Sequence, residues 1–285
     1  MLPDLLLEPL VRAALIEDLG PMGDATCRAV IPPGLTYAAQ LNARAAGVAS
    51  GLRIAAMAFR LVDPALRIEP LRADGQPFAA GDPLLRISGS ASSILMAERV
   101  ALNFAGRMCG IASLTARFVA QTHGTKARIT CTRKTTPGLR IFEKYAVAVG
   151  GGYNHRLDLS SVVMIKDNHL VAAGGIAQAL HKVSTHWARD LFIELEVDNL
   201  EQLAEALLIG GVHAYLLDNM SPETIREAVQ MVRSQPGGEQ IFLEASGGMT
   251  YETLPDYLWT GVNGISIGGL TTRAQNVDIK LEFIA

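Results

Sequence analysis

Residues 131–169 read CTRKTTPGLRIFEKYAVAVGGGYNHRLDLSSVVMIKDNH. The stretch opens at the end of one β-like run, Arg128 to Thr132, and closes on a second, Val162 to Lys166. An amphipathic run and Gly150-Gly151-Gly152 lie between them. It holds six Lys or Arg residues (Arg133, Lys134, Arg140, Lys144, Arg156, Lys166) against three acids (Glu143, Asp158, Asp167), in a chain of net charge −3. A local cationic island in an acidic chain predicts a small anionic ligand. Nucleic-acid binding usually comes with a broad basic excess. A solvated helix face would repeat its cations at helical spacing, whereas these alternate with Gly, Pro, Asn and His.

Working outward, the β-like runs continue at regular intervals: Leu191 to Val197, His213 to Asp218, Gln240 to Ser246 and Asn263 to Gly268. The intervening segments carry helix signals. Asn199 is a plausible N-cap with Gln202 three residues on. Ser221-Pro222-Glu223 supplies an N-cap, a proline at the first helical position and an acid in the first turn. Such alternation predicts a parallel sheet with helices outside it. An open doubly wound sheet usually carries its glycine fingerprint after the first strand. Here Gly247-Gly248 and Gly268-Gly269 follow the last two strands, where barrels place phosphate sites. Six repeats rather than eight predict an α/β fold containing an incomplete (β/α) barrel.

Upstream the texture changes. Residues 5–19 place Leu6, Leu7, Leu10, Ala14 and Leu15 at helical spacing, with Gly20-Pro21 as the stop, and Gly23-Asp24-Ala25-Thr26 reads as a loop. Short apolar runs at Tyr37 to Ala43, Leu66 to Leu71 and Leu84 to Ile87 read as strands, with a helix near Gly51 to Val62. A long helix follows from Ala91 to about Thr122. Gly106 and Gly110 inside it predict a close packing contact or a break. Arg99 and Asn103, four apart, share a face and read at first as a surface pair.

The bulk numbers limit the alternatives. A chain of 285 residues, 49% hydrophobic and 19% charged, suits one large globular domain or two modest ones. No window approaches the about 18 consecutive apolar residues that span a bilayer. The first ten residues lack a basic segment and are interrupted by Asp4 and Glu8, so no signal peptide is expected. Three scattered cysteines, Cys27, Cys109 and Cys131, fit reduced thiols in a cytoplasmic protein better than a disulfide framework or zinc site. Cys131 beside Arg133 and Lys134 has the neighbours of a reactive thiolate, but a buried small hydrophobe is the expected role.

The main chemical signal is a coordinated series of polar groups at the strand ends. In order these are Thr132-Arg133-Lys134, Lys166-Asp167-Asn168-His169, Glu194 with Glu196, Asp218-Asn219, Ser246-Gly247-Gly248 and Gly268-Gly269. In a barrel these ends converge on one rim. Arg133 and Arg156 suit bidentate grip of carboxylates, and the lysines suit phosphate as point charges. Glu196 and Asp218 are candidates for ribose hydroxyls or Mg²⁺, because interior carboxylates need a partner or a cation. The glycine turns offer backbone N–H groups as a phosphate cradle at helix starts. The ligand so inferred has carboxylates, a phosphate and a sugar.

These motifs resemble the quinolinate phosphoribosyltransferase (carboxylating nicotinate-nucleotide pyrophosphorylase) family. The resemblance rests on Thr132 to Arg140, Glu143 to Val147, Gly150 to Arg156 and Ile165 to His169, with Glu17 to Gly20, Glu98-Arg99, Leu217 to Met220 and Ser246 to Gly248 in support. It implies an N-terminal α/β sandwich domain over 1–115, joined by a returning C-terminal strand at 276–285, and the barrel over 116–275. It implies phosphoribosyl transfer from phosphoribosyl pyrophosphate to quinolinate with loss of CO₂, giving nicotinate mononucleotide and pyrophosphate for NAD synthesis. It implies Mg²⁺ as cofactor and a homodimer in which Arg99 reaches the partner's site, overturning its reading as a surface residue. Arg99, Arg133, His155 and Arg156 would hold quinolinate. Lys134 and Lys166 would neutralise pyrophosphate, and Glu196 and Asp218 would bind ribose or Mg²⁺. Ser246, Gly247, Gly248, Gly268 and Gly269 would seat the 5′-phosphate. No nucleic-acid or membrane partner is expected.

The chain departs from the family pattern at Cys131, where Asp is usual, around Asp158 and Ser161, and at Leu270-Thr271-Thr272-Arg273, where a histidine is usual. These changes bear on substrate preference and rate more than on fold. The competing readings are a paralogous phosphoribosyltransferase with altered substrate, a Schiff-base lyase using Lys166, and a degenerate anion-binding protein. Retention of Lys166-Asp167-Asn168-His169 favours the carboxylating phosphoribosyltransferase over the paralogue.

Overall fold

The structure, a computed structural model, describes residues 3–186 and 192–284. It divides into two compact units. One comprises 1–116, 135–151 and 273–285, and the other 117–134 and 152–272. The sequence reading assigned 135–151 to the barrel, and that segment instead packs with the first unit.

The chain begins with α1 (Asp4–Leu19), which buries Leu7, Val11 and Leu15, one residue every turn. Leu6, expected in that stripe, is 52% exposed, so the buried face is rotated from the expected one. Gly20, at φ 56°, ends the helix as anticipated. The expected loop at 23–26 differs. Asp24 accepts a hydrogen bond from the Cys27 N–H (2.9 Å) and so caps a short α2 (Ala25–Val30). Strand β1 (Thr36–Ala43) follows, with Ala39, Leu41 and Ala43 buried at alternate positions. Then come β2 (Gly47–Val48), α3 (Leu52–Val62), β3 (Arg67–Pro70), β4 (Pro77–Phe78) and β5 (Pro83–Ser90). Helix α4 (Ala91–Gln121) is continuous through Gly106 and Gly110, so the break does not occur. The glycines serve close packing. A Cβ on Gly106 would lie 2.9 Å from the Val277 carbonyl oxygen, and one on Gly110 only 2.0 Å from that of Gln275.

The second unit carries the regular alternation. Strand β6 (Arg128–Thr130) precedes α5 (Arg140–Val149), which packs in the first unit. Then follow β7 (Val163–Ile165), α6 (Asp167–Ala173), α7 (Ile176–His186), β8 (Ile193–Val197), α8 (Leu200–Ile209), β9 (Ala214–Asp218), α9 (Pro222–Arg233), β10 (Phe242–Ser246), α10 (Leu254–Tyr257), β11 (Gly264–Ser266) and α11 (Gly269–Thr272). Leu191, the expected start of the third barrel strand, lies outside the described residues. The six strands form one parallel sheet in the order β6-β11-β10-β9-β8-β7. Tyr153 adds a single parallel bridge to Thr130 beside β6. The six-stranded array, with β6 and β7 as its ends, is an incomplete (β/α) barrel. Central β9 is buried from Ala214 to Leu217, as a parallel strand covered on both faces requires. The two expected N-caps form: Asn199 accepts from the Gln202 N–H (2.9 Å) and Ser221 from the Thr224 N–H (3.2 Å).

The last strand, β12 (Ile279–Ile284), returns to the first unit and pairs antiparallel with β1. It completes a four-stranded sheet in the order β12-β1-β5-β3. In the same unit Glu143 of α5 is fully buried but well satisfied. It accepts from Arg107 Nη2 (2.7 Å) and Nε (3.0 Å) and from Thr136 Oγ1 (2.8 Å). A buried carboxylate is tolerated when it is paired and hydrogen-bonded in this way.

Candidate active site

Side chains two apart on a strand share a face, so each barrel strand sends two positions toward the interior near its C-terminal end. The inward pairs are Glu194 and Glu196 on β8, Leu216 and Asp218 on β9, and Glu244 and Ser246 on β10. Register places Ser246 beside Asp218 and Glu244 beside Leu216. These residues, with Ser266 of β11, line a pocket of about 390 Å³, except Glu194. Arg133 and Lys134 after β6, His155 and Arg156 after the Tyr153 bridge, and Lys166 after β7 line it too.

The backbone at Lys134 is fixed from two sides. Its N–H donates to Thr132 Oγ1 (3.0 Å) and its carbonyl accepts from Thr271 Oγ1 (2.6 Å). The Lys166 N–H donates to His169 Nδ1 (3.0 Å), and its ammonium is paired with the Glu196 carboxylate. Burial pushes the Glu196 carboxyl above its ordinary pKa. Lys166 opposes this, and Asp218 and Asp167 add to it. Arg156 Nη1 donates to the Val162 carbonyl (3.2 Å). Burial, then the nearby Arg133, push the Arg156 guanidinium below its ordinary value. Two neighbouring, partly buried cations are stabilised by an anion between them.

The oxygen donors of Glu196 and Asp218 suit a hard cation such as Mg²⁺. Burial is the main cause of the raised Glu196 carboxyl and the Asp218 charge adds to it, and a bound cation would oppose both.

The pocket therefore gathers Arg133, Lys134, His155, Arg156, Lys166, Glu196, Asp218 and Ser246, all expected from the sequence. The glycines flank these groups. A Cβ on Gly268 would lie 3.0 Å from Lys134 Cδ, and one on Gly247 would lie 2.2 Å from Asn219 Oδ1. Gly247 has φ 106° and Gly248 φ 56°. Only Gly268-Gly269 leads directly into a helix, the four-residue α11. After Gly248 the next helix begins at Leu254, so that turn is not the expected helix start. Cys131 is a fully buried thiol donating to Asn154 Oδ1 (3.2 Å), in line with the structural role expected of it. Arg99 is exposed on α4 in the first unit.

Two acids were missed. Glu244 was absent from the expected site, and Glu194 stood in the strand-end series without a role. His155 Nε2 lies 2.9 Å from Glu194 Oε2 and 4.0 Å from Glu244 Oε2. Burial first, then Glu194, push the Glu244 carboxyl up to about 7. The available signal was parity: Glu244 stands two residues before Ser246, hence on the same inward face.

Comparison with known proteins gives one consistent result. Residues 24–109 match the N-terminal domain, and residues 111–282 the C-terminal domain, of quinolinate phosphoribosyl transferase. The chain is 39% identical over 277 residues to a nicotinate-nucleotide pyrophosphorylase [carboxylating] of Mycobacterium leprae, covering 95% of each. It is 38% identical over 293 residues to a quinolinate phosphoribosyltransferase [decarboxylating] of Nicotiana glauca, covering 97% of this chain and 82% of the relative. A solved nicotinate-nucleotide pyrophosphorylase from Ehrlichia chaffeensis superposes with a TM-score of 0.90 at 36% identity, covering 97% of this chain and 98% of the other. That from Francisella tularensis gives 0.92 at 33%, covering 100% and 98%.

Proposed function

The chain belongs to the quinolinate phosphoribosyltransferase family, and from that premise we propose how its own residues carry the reaction. The protein is a carboxylating nicotinate-nucleotide pyrophosphorylase, a phosphoribosyltransferase of NAD biosynthesis. It joins the ring nitrogen of quinolinate to C1′ of phosphoribosyl pyrophosphate, releases pyrophosphate, and loses CO₂ to give nicotinate mononucleotide.

The observation that carries the assignment of roles is the convergence of Arg133, Arg156, Lys134, Lys166, Glu196 and Asp218 on one pocket. Arg133 and Arg156 hold the two carboxylates of quinolinate in the pose from which its nitrogen attacks. Lys134 and Lys166 face the pyrophosphate, whose negative charge grows as the C1′–O bond breaks. Glu196 and Asp218 hold the ribose hydroxyls or Mg²⁺. A bound Mg²⁺ would supply charge neutralisation on the pyrophosphate oxygens. Ser246 and the turns at Gly247-Gly248 and Gly268-Gly269 seat the 5′-phosphate. After transfer, the positive charge on the ring nitrogen stabilises the carbanion left on the adjacent carbon when its C–CO₂ bond breaks, and a solvent proton then adds to that carbon in place of CO₂. No dedicated base is needed for that step.

We further propose a homodimer in which the exposed Arg99 of one copy enters the site of the other. A cytoplasmic location is proposed with it, supported by three buried cysteines held as thiols rather than disulfides. Among the described residues no helix is long and apolar enough to cross a membrane. The Schiff-base alternative fits poorly, because Lys166 is paired with Glu196 and such lysines act as neutral amines. Incubating the protein with quinolinate, phosphoribosyl pyrophosphate and Mg²⁺, then chromatographing the products, tests the reading. Nicotinate mononucleotide and pyrophosphate are expected in equal amounts. Their absence from correctly folded protein contradicts it.

A further inference from the structure

Beneath the cationic rim the barrel interior is not filled with apolar side chains, as such interiors usually are. His155, Glu194 and Glu244 meet there. The two glutamates are each about 2% exposed, and they come from β8 and β10, strands separated by β9. In register Glu194 lies between Met164 and Ala214, and Glu244 between Leu216 and Gly264, so each has one small neighbour. The cluster also separates two spaces. The site pocket lies on one side, and on the other a second pocket of about 240 Å³ reaches in from the strand starts at Arg128, Ala214 and Phe242. Both pockets include His155, Arg156 and Glu244 in their walls.

The hydrogen bonds fix which proton sits where. His155 Nδ1 accepts from the Arg156 backbone N–H at 2.7 Å, so Nδ1 carries no hydrogen. Nε2 therefore carries it, 2.9 Å from Glu194 Oε2. One ligand atom from each of His155, Glu194 and Glu244 lies within 4.8 Å of the others, a spacing compatible with a metal ion. Metal binding at Nε2 would require the ring hydrogen on Nδ1, and the Arg156 contact opposes that tautomer. A proton is the cation that this geometry accommodates. Glu244 Oε1 is buried without a hydrogen-bond partner, a costly position for a carboxylate oxygen and a milder one for a neutral acid.

We propose that Glu244 is held as a neutral carboxylic acid while Glu194 is the anion that fixes His155 in its Nε2–H form, making Glu194 a positioning residue for the quinolinate grip. This deepens the proposed function and rests on it for the identity of the dianion. The ring so fixed accepts the Arg156 N–H and sets the backbone from which that guanidinium projects. The neutral acid keeps a second negative charge off the floor of a pocket that must admit a dianion. The titratable groups that bear on Glu244 are Glu194 from β8, which disfavours its ionised form, and Lys166 after β7 and, only if protonated, His155 beside the Tyr153 bridge, which favour it. A hydrogen bond from Ser266 of β11 favours it too.

Two measurements test this. The first needs no substrate: ¹⁵N NMR of histidine-labelled, ligand-free protein, with His155 assigned by its loss in His155→Gln. Wild type and Glu244→Gln are expected to show the Nε2–H tautomer from pH 6 to 8, and Glu194→Gln to lose it. An imidazolium or Nδ1–H form in wild type at pH 7 overturns the proposal. The second is calorimetric titration with quinolinate between pH 6 and 9. Wild-type affinity is expected to fall severalfold above pH 7. Glu244→Gln is expected to stay within about threefold of the wild-type value at pH 6.5 and to show no alkaline fall. A tenfold or greater loss in Glu244→Gln at pH 6.5, with fold intact, overturns it, because an anion would then be required at 244. Wild type that binds no quinolinate at any pH refutes the proposed function instead, and the NMR result still decides the positioning claim.

Discussion

The Lys166 ammonium is paired with the Glu196 carboxylate, joining the ends of adjacent strands β7 and β8. The pair places one cation and one anion on the same side of the pocket, so each holds the other until substrate arrives. Lys166→Met and Glu196→Gln are each expected to lower kcat by about 10²–10³, the usual cost of losing one preorganised electrostatic contact. The double variant should cost less than the sum of the two, because the residues act as a pair. Single-turnover formation of nicotinate mononucleotide gives the rates.

Arg99 supplies a test of the proposed shared site. Arg99→Ala and Lys134→Ala are each expected to be inactive. When mixed under conditions that exchange subunits, they should regain about a quarter of wild-type activity, since each mixed dimer holds one intact site. No recovery despite demonstrated exchange would contradict the dimer.

Glu143 offers a stability test away from the chemistry. It is fully buried and receives Arg107 and Thr136. Arg107→Ala leaves that carboxylate without its cation and should cost about 3–5 kcal/mol in denaturant unfolding. Exposed Arg12, paired with Glu8, should cost about 1 kcal/mol or less on the same change.

The pH dependence of stability follows from Glu244. Its folded pKa, about 7, lies above the ordinary glutamate value, so the folded protein holds a proton that the unfolded chain gives up earlier. The stabilisation is complete below the unfolded pKa and is lost as pH rises toward about 7. Over that window wild-type stability should fall relative to Glu244→Gln, as read from urea midpoints.

How much of this was legible in the sequence differs by element. The barrel strands could be read because each is a short apolar run followed by a polar punctuation. The residues that line the candidate pocket could be read because those punctuations fall on one rim. Helix α1 was read with its buried stripe turned from the true one, since Leu5, Leu6 and Leu7 are consecutive and composition alone cannot orient them. The placement of 135–151 depends on burying Glu143 against Arg107, a pairing 36 residues apart that no local pattern reports. Glu244 was missed for a related reason. A lone glutamate in Phe-Leu-Glu-Ala-Ser resembles a strand's solvent face, and only its alignment with Ser246 and Asp218 shows that it points inward.

The reaction assigned to the protein is phosphoribosyl transfer coupled to decarboxylation. It is tested most directly with quinolinate carrying ¹⁴C in the carboxylate beside the ring nitrogen, supplied with phosphoribosyl pyrophosphate and Mg²⁺. Labelled CO₂ and unlabelled nicotinate mononucleotide are expected in equal amounts, with no CO₂ when phosphoribosyl pyrophosphate is withheld. Label retained in a nucleotide product, or CO₂ released without phosphoribosyl pyrophosphate, would contradict it.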